Sequence, residues 1–176
     1  MINKLRSLYI RKFISDERYA RYLGVKIGIN CLISTRNFPS EPYLIEIGDN
    51  VRIANDVKFF THGGLIPFRN KLPKNMDMFG KIKIGSNVHI GDSALILPGI
   101  EIGDNCIVGA GSVISKSVPS NSVVVGNPAR IVSTVDKFLN NATKANVGSK
   151  GMNFQSKKEY LLSLSEDKFI RKSYLK

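Results

Sequence analysis

The stretch IGSNVHIGDSALILPGIEIGDNCIVGAGSVI, residues 84–114, carries an aliphatic residue at every sixth position. Those positions are Ile84, Ile90, Ile96, Ile102, Val108 and Ile114, and the residues four further on are also small or apolar: Val88, Ala94, Ile100, Cys106, Ser112 and Val118. A helix would space apolar residues three and four apart, and a simple strand two apart, so a period of six fits neither. The stretch therefore predicts short strands separated by corners, three to a coil, with the coils stacked into parallel sheets.

The same signal begins further upstream, where the phrase Ile-Gly-x-Asn recurs at residues 27–30, 47–50, 84–87 and 102–105. We therefore predict that the coiled β-domain covers residues 25–132.

Two insertions interrupt this domain. Ile33 and Ile47 are fourteen positions apart, which is not a multiple of six. The second insertion, residues 62–83, begins at His62 and contains a glycine pair and two prolines, so it predicts a loop projecting from the coil. Loops on a rigid scaffold often carry the chemistry of a protein.

The terminal segments differ from the repeats. Residues 1–24 place Ile2, Leu5, Tyr9 and Phe13 at helical spacing among basic residues, which predicts an amphipathic helix that packs on the first coil or on a neighbouring subunit, with binding to a membrane surface as the alternative. Residues 133–176 predict a C-terminal tail of short helices. No apolar run is long enough to span a bilayer, and the first residues form no signal-peptide core, so we expect a cytoplasmic protein, with the inner membrane face as an alternative location.

The net charge of +12 is concentrated at the two ends of the chain. Residues 1–26 carry seven Lys/Arg against two Asp/Glu, and residues 133–176 carry nine against four, so ten of the twelve excess charges lie there. No nucleic-acid-binding motif accompanies them, and anionic lipids or phosphorylated substrates are the better expectation for partners.

Three stretches resemble the hexapeptide-repeat acyltransferases, in particular galactoside, maltose and capsular-polysaccharide O-acetyltransferases. They are SEPYLIEIG (40–48), IGDNVRIANDVKFFTH (47–62), and the run from Ile84 to the GNPARIV phrase that ends at Val132. The resemblance implies an all-β, left-handed parallel β-helix flanked by helical segments, a homotrimer, and active sites between subunits. A left-handed crossover runs against the general rule for parallel strands.

The resemblance assigns His62 as the general base, because the catalytic histidine of the family follows the coil that begins with an IGDNV phrase. Histidine side chains titrate near neutral pH and suit the removal of a proton from a sugar hydroxyl. Glu41 matches the acidic acceptor-binding segment, where it either binds a sugar hydroxyl, orients His62, or is a solvated loop carboxylate. His89 either lines the acceptor pocket or has a structural role. Gly63 replaces an acidic residue of the family's capsular members, so the orienting partner of His62 is left open.

The resemblance also implies acetyl-CoA as the acyl donor. It assigns the cofactor contacts to Asp92, Ala110, Ser115, Lys116 and Arg130. Lys116 and Arg130 would meet the phosphates of CoA, Ala110 and Ser115 would offer backbone groups, and Asp92 would lie near the thiol arm. The alternative is that the GAGS stretch only makes tight coil turns.

Other chemistry is less well supported by the sequence. Cys106 occupies a small interior position, so we expect a structural thiol, and we expect Cys31 and Cys106 both to be free. The zinc-binding relatives of this fold use three histidines and this chain has two, so no metal is expected.

The sequence therefore favours transfer of acetyl from acetyl-CoA to a sugar hydroxyl, directly and in surface-polysaccharide biosynthesis. The alternatives are an N-acyltransferase acting on an amino-sugar nucleotide, serine or an antibiotic, and a noncatalytic β-solenoid scaffold.

Overall fold

The structure is a computed structural model that describes residues 14–174. It divides into one unit that extends to Val135 and a second unit, Asp136–Lys176. Ile2, Leu5, Tyr9 and Phe13, on which the predicted N-terminal amphipathic helix depends, lie outside the described residues.

The first unit consists mainly of short strands. The strands are β1 (Lys26–Ile27), β2 (Leu32–Ile33), β3 (Ile45–Ile47), β4 (Arg52–Ile53), β5 (Lys58–Phe59), β6 (Ile82–Ile84), β7 (Val88–Ile90), β8 (Leu95–Ile96), β9 (Glu101–Ile102), β10 (Cys106–Val108), β11 (Val113–Ile114), β12 (Ser122–Gly126) and β13 (Ala129–Thr134). Among the described residues, the helices are α1 (Asp16–Leu23), α2 (Val135–Lys144) and α3 (Phe154–Ser163), and short 3-10 turns cover Pro42–Leu44, Ile66–Lys71 and Glu166–Lys168.

Within the described residues the strands form three sheets, with the orders β1-β3-β6-β9, β13-β12-β10-β7-β4-β2 and β11-β8-β5. From β3 to β11 the chain visits the three sheets in turn, so each round of three strands makes one coil. All pairings are parallel except β12 with β13, which are antiparallel. The parallel sheets predicted from the six-residue period are confirmed, whereas the period does not predict the reversal of the chain at β13.

The register places the repeated aliphatic residues above one another. Ile84 pairs with Ile47 on one side and Ile102 on the other, and Ile90 lies between Ile53 and Val108 in the next sheet. All of these side chains are buried. Burial of each contributes about 1.5–3 kcal/mol relative to an exposed side chain. The interior of the coil is thus a continuous aliphatic column, as the repeat predicts.

The structure gives separate reasons for the glycine and for the asparagine of the Ile-Gly-x-Asn phrase. Asn87 has a φ of 58°, and Asn30, Asn50 and Asn105 are likewise left-handed, so the asparagine turns the corner. The glycine lies against the next coil, because a Cβ on Gly85 would be 2.8 Å from the backbone nitrogen of Asp104. Asn50 Nδ2 also donates a hydrogen bond to Asn87 Oδ1 over 2.7 Å, which links successive corners.

The two insertions depart from the coil at places that matter for the site. The first connects β2 to β3 and contains the turn Pro42–Leu44. The second connects β5 to β6, and its ends are held together by a hydrogen bond of 2.8 Å from Gly80 N to Thr61 O. Within the second insertion, Arg69 Nη2 pairs with Asp77 Oδ1 at 2.7 Å, which fixes the path of the loop.

Helix α1 covers the first coil. The side-chain oxygen of Ser15 accepts a hydrogen bond from Arg18 N and caps the start of the helix, and Gly24 ends it with a φ of 102°. Arg21 donates to the carbonyl oxygens of Ile27 (2.5 Å) and Gly28 (2.6 Å), which belong to the outer edge of the first coil. Arg21 of the helix therefore satisfies carbonyl groups beside β1, which is the edge strand of its sheet among the described residues.

The second unit is helical. Asn153 caps α3 by accepting a hydrogen bond from Ser156 N, and Tyr160 Oη donates to Val147 O over 2.8 Å. Several of its large apolar side chains are exposed, among them Phe138, Leu139, Phe154, Leu162 and Ile170. None of the helices in the described part of the chain is long and apolar enough to cross a bilayer.

Candidate active site

His62 and Glu41 meet where the two insertions come together. His62 follows β5 at the start of the second insertion, and Glu41 immediately precedes the turn Pro42–Leu44 of the first. Their closest atoms are His62 Nδ1 and Glu41 Oε2, 2.9 Å apart. The His62 side chain is 46% exposed and that of Glu41 is 17% exposed, so the imidazole is open to a substrate while its partner is largely enclosed.

A third residue, Thr61, contacts the same carboxylate. Thr61 Oγ1 donates a hydrogen bond to Glu41 Oε2 over 2.8 Å, and the Thr61 side chain is completely buried. The hydrogen bond from Thr61, aided by the hydrogen bond and positive charge that His62 can supply, lowers the pKa of Glu41 against a smaller opposing effect of burial. The carboxylate therefore stays ionised as the pH falls into the range where an ordinary glutamate begins to take up a proton.

The ionised carboxylate decides how the imidazole is protonated. A carboxylate without a proton can only accept hydrogen bonds, so His62 Nδ1 must carry the hydrogen that lies between the two residues. In the neutral ring this leaves Nε2 with its lone pair. The arrangement can take a proton from a hydroxyl group at Nε2 and stabilise the resulting positive charge.

The orienting partner of His62, which the sequence left open, thus has a structural candidate in Glu41. Sequence reasoning missed Thr61 altogether. One signal was available: the alternation from Phe59 places Thr61 inside the coil, where the repeat otherwise puts apolar residues, and a polar residue there needs a partner.

His89 is not brought to this pair. It lies on β7, in the sheet that contains β4 and β10, and its neighbours across the sheet are Arg52 and Ile107. His62 follows β5, which belongs to a different sheet. Within one chain the two histidines therefore lie on different faces of the coil.

Three of the predicted cofactor residues come together at the far end of the stack. Ser115, Lys116 and Arg130 line one cavity of about 400 Å³, whose apolar wall includes Val124 and Ile131. Ser115 and Lys116 follow β11, whereas Arg130 is on β13 after the chain has reversed. The reversal at β13 is what brings the two cationic side chains to the same cavity.

Asp92 and Ala110 lie outside this cavity. Asp92 Oδ1 accepts hydrogen bonds from Asn55 N at 2.9 Å and Asn55 Nδ2 at 3.0 Å, so its carboxylate ties two coils together. Ala110 lies against Gly91 of the preceding coil, where an added Cβ would come within 2.6 Å of the Ala110 nitrogen. These contacts are those of tight coil turns.

Cys106 has the interior position from which we predicted a structural thiol. Cys106 is buried, and burial raises the pKa of its thiol, which makes a nucleophilic thiolate unfavourable. Both cysteines are free thiols within the described chain. Among residues 14–174, no group of three or more His, Cys, Asp or Glu side chains could hold a metal ion.

Comparison with known proteins gives consistent matches. The family model described as bacterial transferase hexapeptide (six repeats) matches residues 81–116. Protein CapG of Staphylococcus aureus is 41% identical over 166 residues, which cover 92% of this chain and 95% of that protein. Galactoside O-acetyltransferase of Escherichia coli is also 41% identical, over 114 residues that cover 64% of this chain and 55% of the relative.

Two solved structures agree with the sequence matches. A maltose O-acetyltransferase from Clostridium difficile is 31% identical, with a TM-score of 0.54 over 76% of this chain and 83% of the other. A hexapeptide-repeat acetyltransferase from Vibrio cholerae, solved in complex with acetyl coenzyme A, is 26% identical, with a TM-score of 0.58 over 73% of this chain and 82% of the other.

Proposed function

Because the chain belongs to the family of hexapeptide-repeat acyltransferases, we propose that it transfers an acetyl group from acetyl-CoA to a hydroxyl group of a sugar. The observation that carries this proposal is the contact between His62 Nδ1 and Glu41 Oε2, which prepares Nε2 to act as a base. The names of the galactoside and maltose O-acetyltransferases support a sugar acceptor, and the acetyl coenzyme A complex of the Vibrio cholerae protein supports the donor.

The proposed reaction is a direct transfer. His62 Nε2 removes the proton of the acceptor hydroxyl while the oxygen of that hydroxyl attacks the thioester carbonyl carbon. The carbon–sulfur bond then breaks, and the imidazolium returns the proton to the departing sulfur, so that the products are the acetyl ester and CoA. Glu41 stabilises the imidazolium between the two proton transfers, and no covalent enzyme intermediate is needed.

An acceptor screen tests this function. We propose a surface-polysaccharide precursor, free or lipid-linked, as the natural acceptor. Methyl β-galactoside and maltose are suitable first probes, with release of the CoA thiol as the measurement. Serine, an amino-sugar nucleotide and an aminoglycoside represent the competing acceptors, and a preference for one of these would replace the sugar hydroxyl. A noncatalytic scaffold would show neither thiol release nor a rise in melting temperature with CoA.

We place the phosphate end of acetyl-CoA in the cavity lined by Ser115, Lys116 and Arg130. Lys116→Ala or Arg130→Ala is expected to raise the KM for acetyl-CoA about five- to thirtyfold, since a charge-assisted hydrogen bond is worth about 1–2 kcal/mol at an exposed site. The kcat should barely change, because these contacts are made equally in the ground state and the transition state.

Titration of acetyl-CoA at two ionic strengths measures this effect. Lys26→Ala, which removes the same charge from β1 in the first coil, is the matched control and should leave KM unchanged. If KM and its salt dependence stay at the wild-type values in both cavity variants, the phosphates bind elsewhere.

The family resemblance extends the proposal to a left-handed coil and a homotrimer whose sites lie between subunits. Each subunit would contribute one His62 loop. The imidazole is 46% exposed, which leaves room for a neighbouring subunit to form one side of the pocket. Light scattering should give about three times the chain mass. A monomer that is fully active at assay concentration would contradict a shared site.

We also propose contact between the C-terminal unit and anionic membranes. The exposed Phe154, Leu162 and Ile170 are accompanied by several lysines, a combination that suits a lipid interface. The full chain should sediment with phosphatidylcholine vesicles that contain phosphatidylglycerol and stay in the supernatant with phosphatidylcholine alone. An electrostatic contact would be contradicted if the protein sedimented equally with both kinds of vesicle, or if it sedimented with neither kind.

A further inference from the structure

We propose that Thr61 is a positioning residue for the active site: its hydroxyl holds the Glu41 carboxylate in the orientation that keeps the hydrogen of His62 on Nδ1. The inference rests on the proposed function, in which His62 Nε2 is the base. Thr61 itself touches neither the imidazole nor a substrate in this assignment, and it acts through Glu41.

The geometry joins the three side chains at one atom. Glu41 Oε2 accepts one hydrogen bond from Thr61 Oγ1 (2.8 Å) and another from His62 Nδ1 (2.9 Å). Because the lone pairs of Oε2 lie in the plane of the carboxylate, two donors that converge on this oxygen favour the rotation of the carboxylate that directs the lone pairs toward both donors. With the Thr61 bond removed, Oε2 would lose its buried donor and keep the hydrogen bond from the more exposed imidazole.

Thr61 is itself firmly placed. Its side chain is completely buried, and its backbone oxygen accepts the hydrogen bond from Gly80 N that closes the second insertion. A threonine side chain is also restricted at χ1 by its branched Cβ. Glu41, in contrast, lies in an insertion and has three side-chain torsions to fix, so its carboxylate depends on its partners for orientation.

The same bond also favours the charged form of Glu41 that the mechanism needs. A protonated Glu41 could donate a hydrogen to His62 Nδ1, which would favour the opposite tautomer and block Nε2. The hydrogen bond from the Thr61 hydroxyl is the largest cause of the lowered pKa of Glu41, and so it favours the ionised form that accepts hydrogen bonds. One buried hydroxyl therefore contributes both to the position of the carboxylate and to its ionisation.

A second threonine in the coil, Thr35, shows that a buried hydroxyl there does not require a carboxylate as its hydrogen-bond partner. Thr35 is buried as well, but its Oγ1 donates to a backbone oxygen, that of Val57, over 2.8 Å. A buried hydroxyl needs a hydrogen-bond partner, and a backbone carbonyl suffices for that purpose. The partner of Thr61 is instead a side chain that contacts the proposed base, which makes Thr35 a matched internal control.

The test compares Thr61→Val with Thr35→Val, because each removes a buried hydroxyl and keeps the shape of the side chain. With acetyl-CoA and maltose or methyl β-galactoside as probes, we expect Thr61→Val to lower kcat about tenfold to a hundredfold, the loss that follows from one hydrogen bond to a charged group. The KM for acetyl-CoA should not change. Thr35→Val should retain the wild-type kcat whatever its melting temperature.

A spectroscopic measurement tests the proposal without any acceptor. The chain contains two histidines, so nitrogen-15 NMR of the imidazoles gives few signals, and His62→Ala identifies those of His62. The neutral His62 ring should hold its hydrogen on Nδ1 in the wild type and in Thr35→Val, and should become a mixture of tautomers in Thr61→Val. An unchanged tautomer together with an unchanged kcat in Thr61→Val would overturn the proposal.

If Thr61→Val does not fold, Thr61→Ser and Thr61→Ala provide the same comparison, since these two differ only in the hydroxyl. The serine variant should keep the wild-type tautomer and most of kcat, and equal behaviour of the two would refute the role of the hydroxyl. The His62→Ala variant separates this failure from a failure of the proposed function. If His62→Ala loses turnover while Thr61→Val keeps the wild-type kcat, only the positioning role of Thr61 is refuted. If His62→Ala keeps full turnover, the role of His62 as general base is refuted.

Discussion

Replacement of His62 by alanine is expected to lower kcat by about two to four orders of magnitude, the usual contribution of general base catalysis. A sugar hydroxyl attacks a thioester slowly unless its proton is removed in the transition state, and His62 Nε2 is the group that the Glu41 contact leaves ready to remove it. The KM for acetyl-CoA should stay close to the wild-type value, because the cavity at Lys116 and Arg130 is formed by other strands.

The control for this experiment is the fold of the variant. The His62 side chain is 46% exposed, so its removal leaves little buried space, and the melting temperature should change only slightly. Stabilisation by CoA should also persist. A folded His62→Ala protein that turns over its acceptor at nearly the wild-type rate would show that another group, or no group, removes the proton.

The second large effect is expected in the scaffold. In Gly85→Ala, the new Cβ would lie 2.8 Å from Asp104 N and 2.8 Å from Gly103 C, both backbone atoms of the adjacent coil. Backbone atoms cannot move aside as a flexible side chain can, so two coils would have to separate locally. We expect a loss of about 3 kcal/mol of unfolding free energy, which is the upper part of the range for overpacked sites.

Gly64→Ala is the matched control for this change. Gly64 lies in the second insertion, and a Cβ at this position would meet no atom within 4 Å. Its unfolding free energy should stay within about 0.5 kcal/mol of the wild type. Chemical denaturation of the two variants side by side measures the difference, and similar midpoints would show that the coils can spread at Gly85 without cost.

The coil could be predicted because it follows from a six-residue period that is visible within a short stretch of sequence. Ile84, Ile90 and Ile96 are buried in three successive sheets, and the six-residue period alone indicates that they face one interior. The Ile-Gly-x-Asn phrase was recognisable for the same reason, although the sequence did not reveal that asparagine makes the corner while glycine permits close contact between coils.

The site was harder to predict because its parts come from different coils. Glu41 and His62 are 21 residues apart, and their contact depends on the paths of two irregular insertions that obey no period. Thr61 was missed because only its hydrogen bond to Glu41 identifies its role. In the sequence, Thr61 is simply a polar residue that directly precedes His62. Arg130 reaches the cavity of Lys116 through the reversal at β13, which the repeat does not encode.

The two ends of the coil also limit how far the structure can grow. A stack of parallel coils presents open backbone groups at each end, and such edges can recruit further strands into fibres. At one end, Arg21 occupies the carbonyl oxygens of Ile27 and Gly28. At the other, β13 runs antiparallel to β12, so the edge it presents no longer has the direction that another coil would continue. At these two edges the chain thereby opposes end-to-end polymerisation, and we expect deletion of α1 or β13 to favour aggregation.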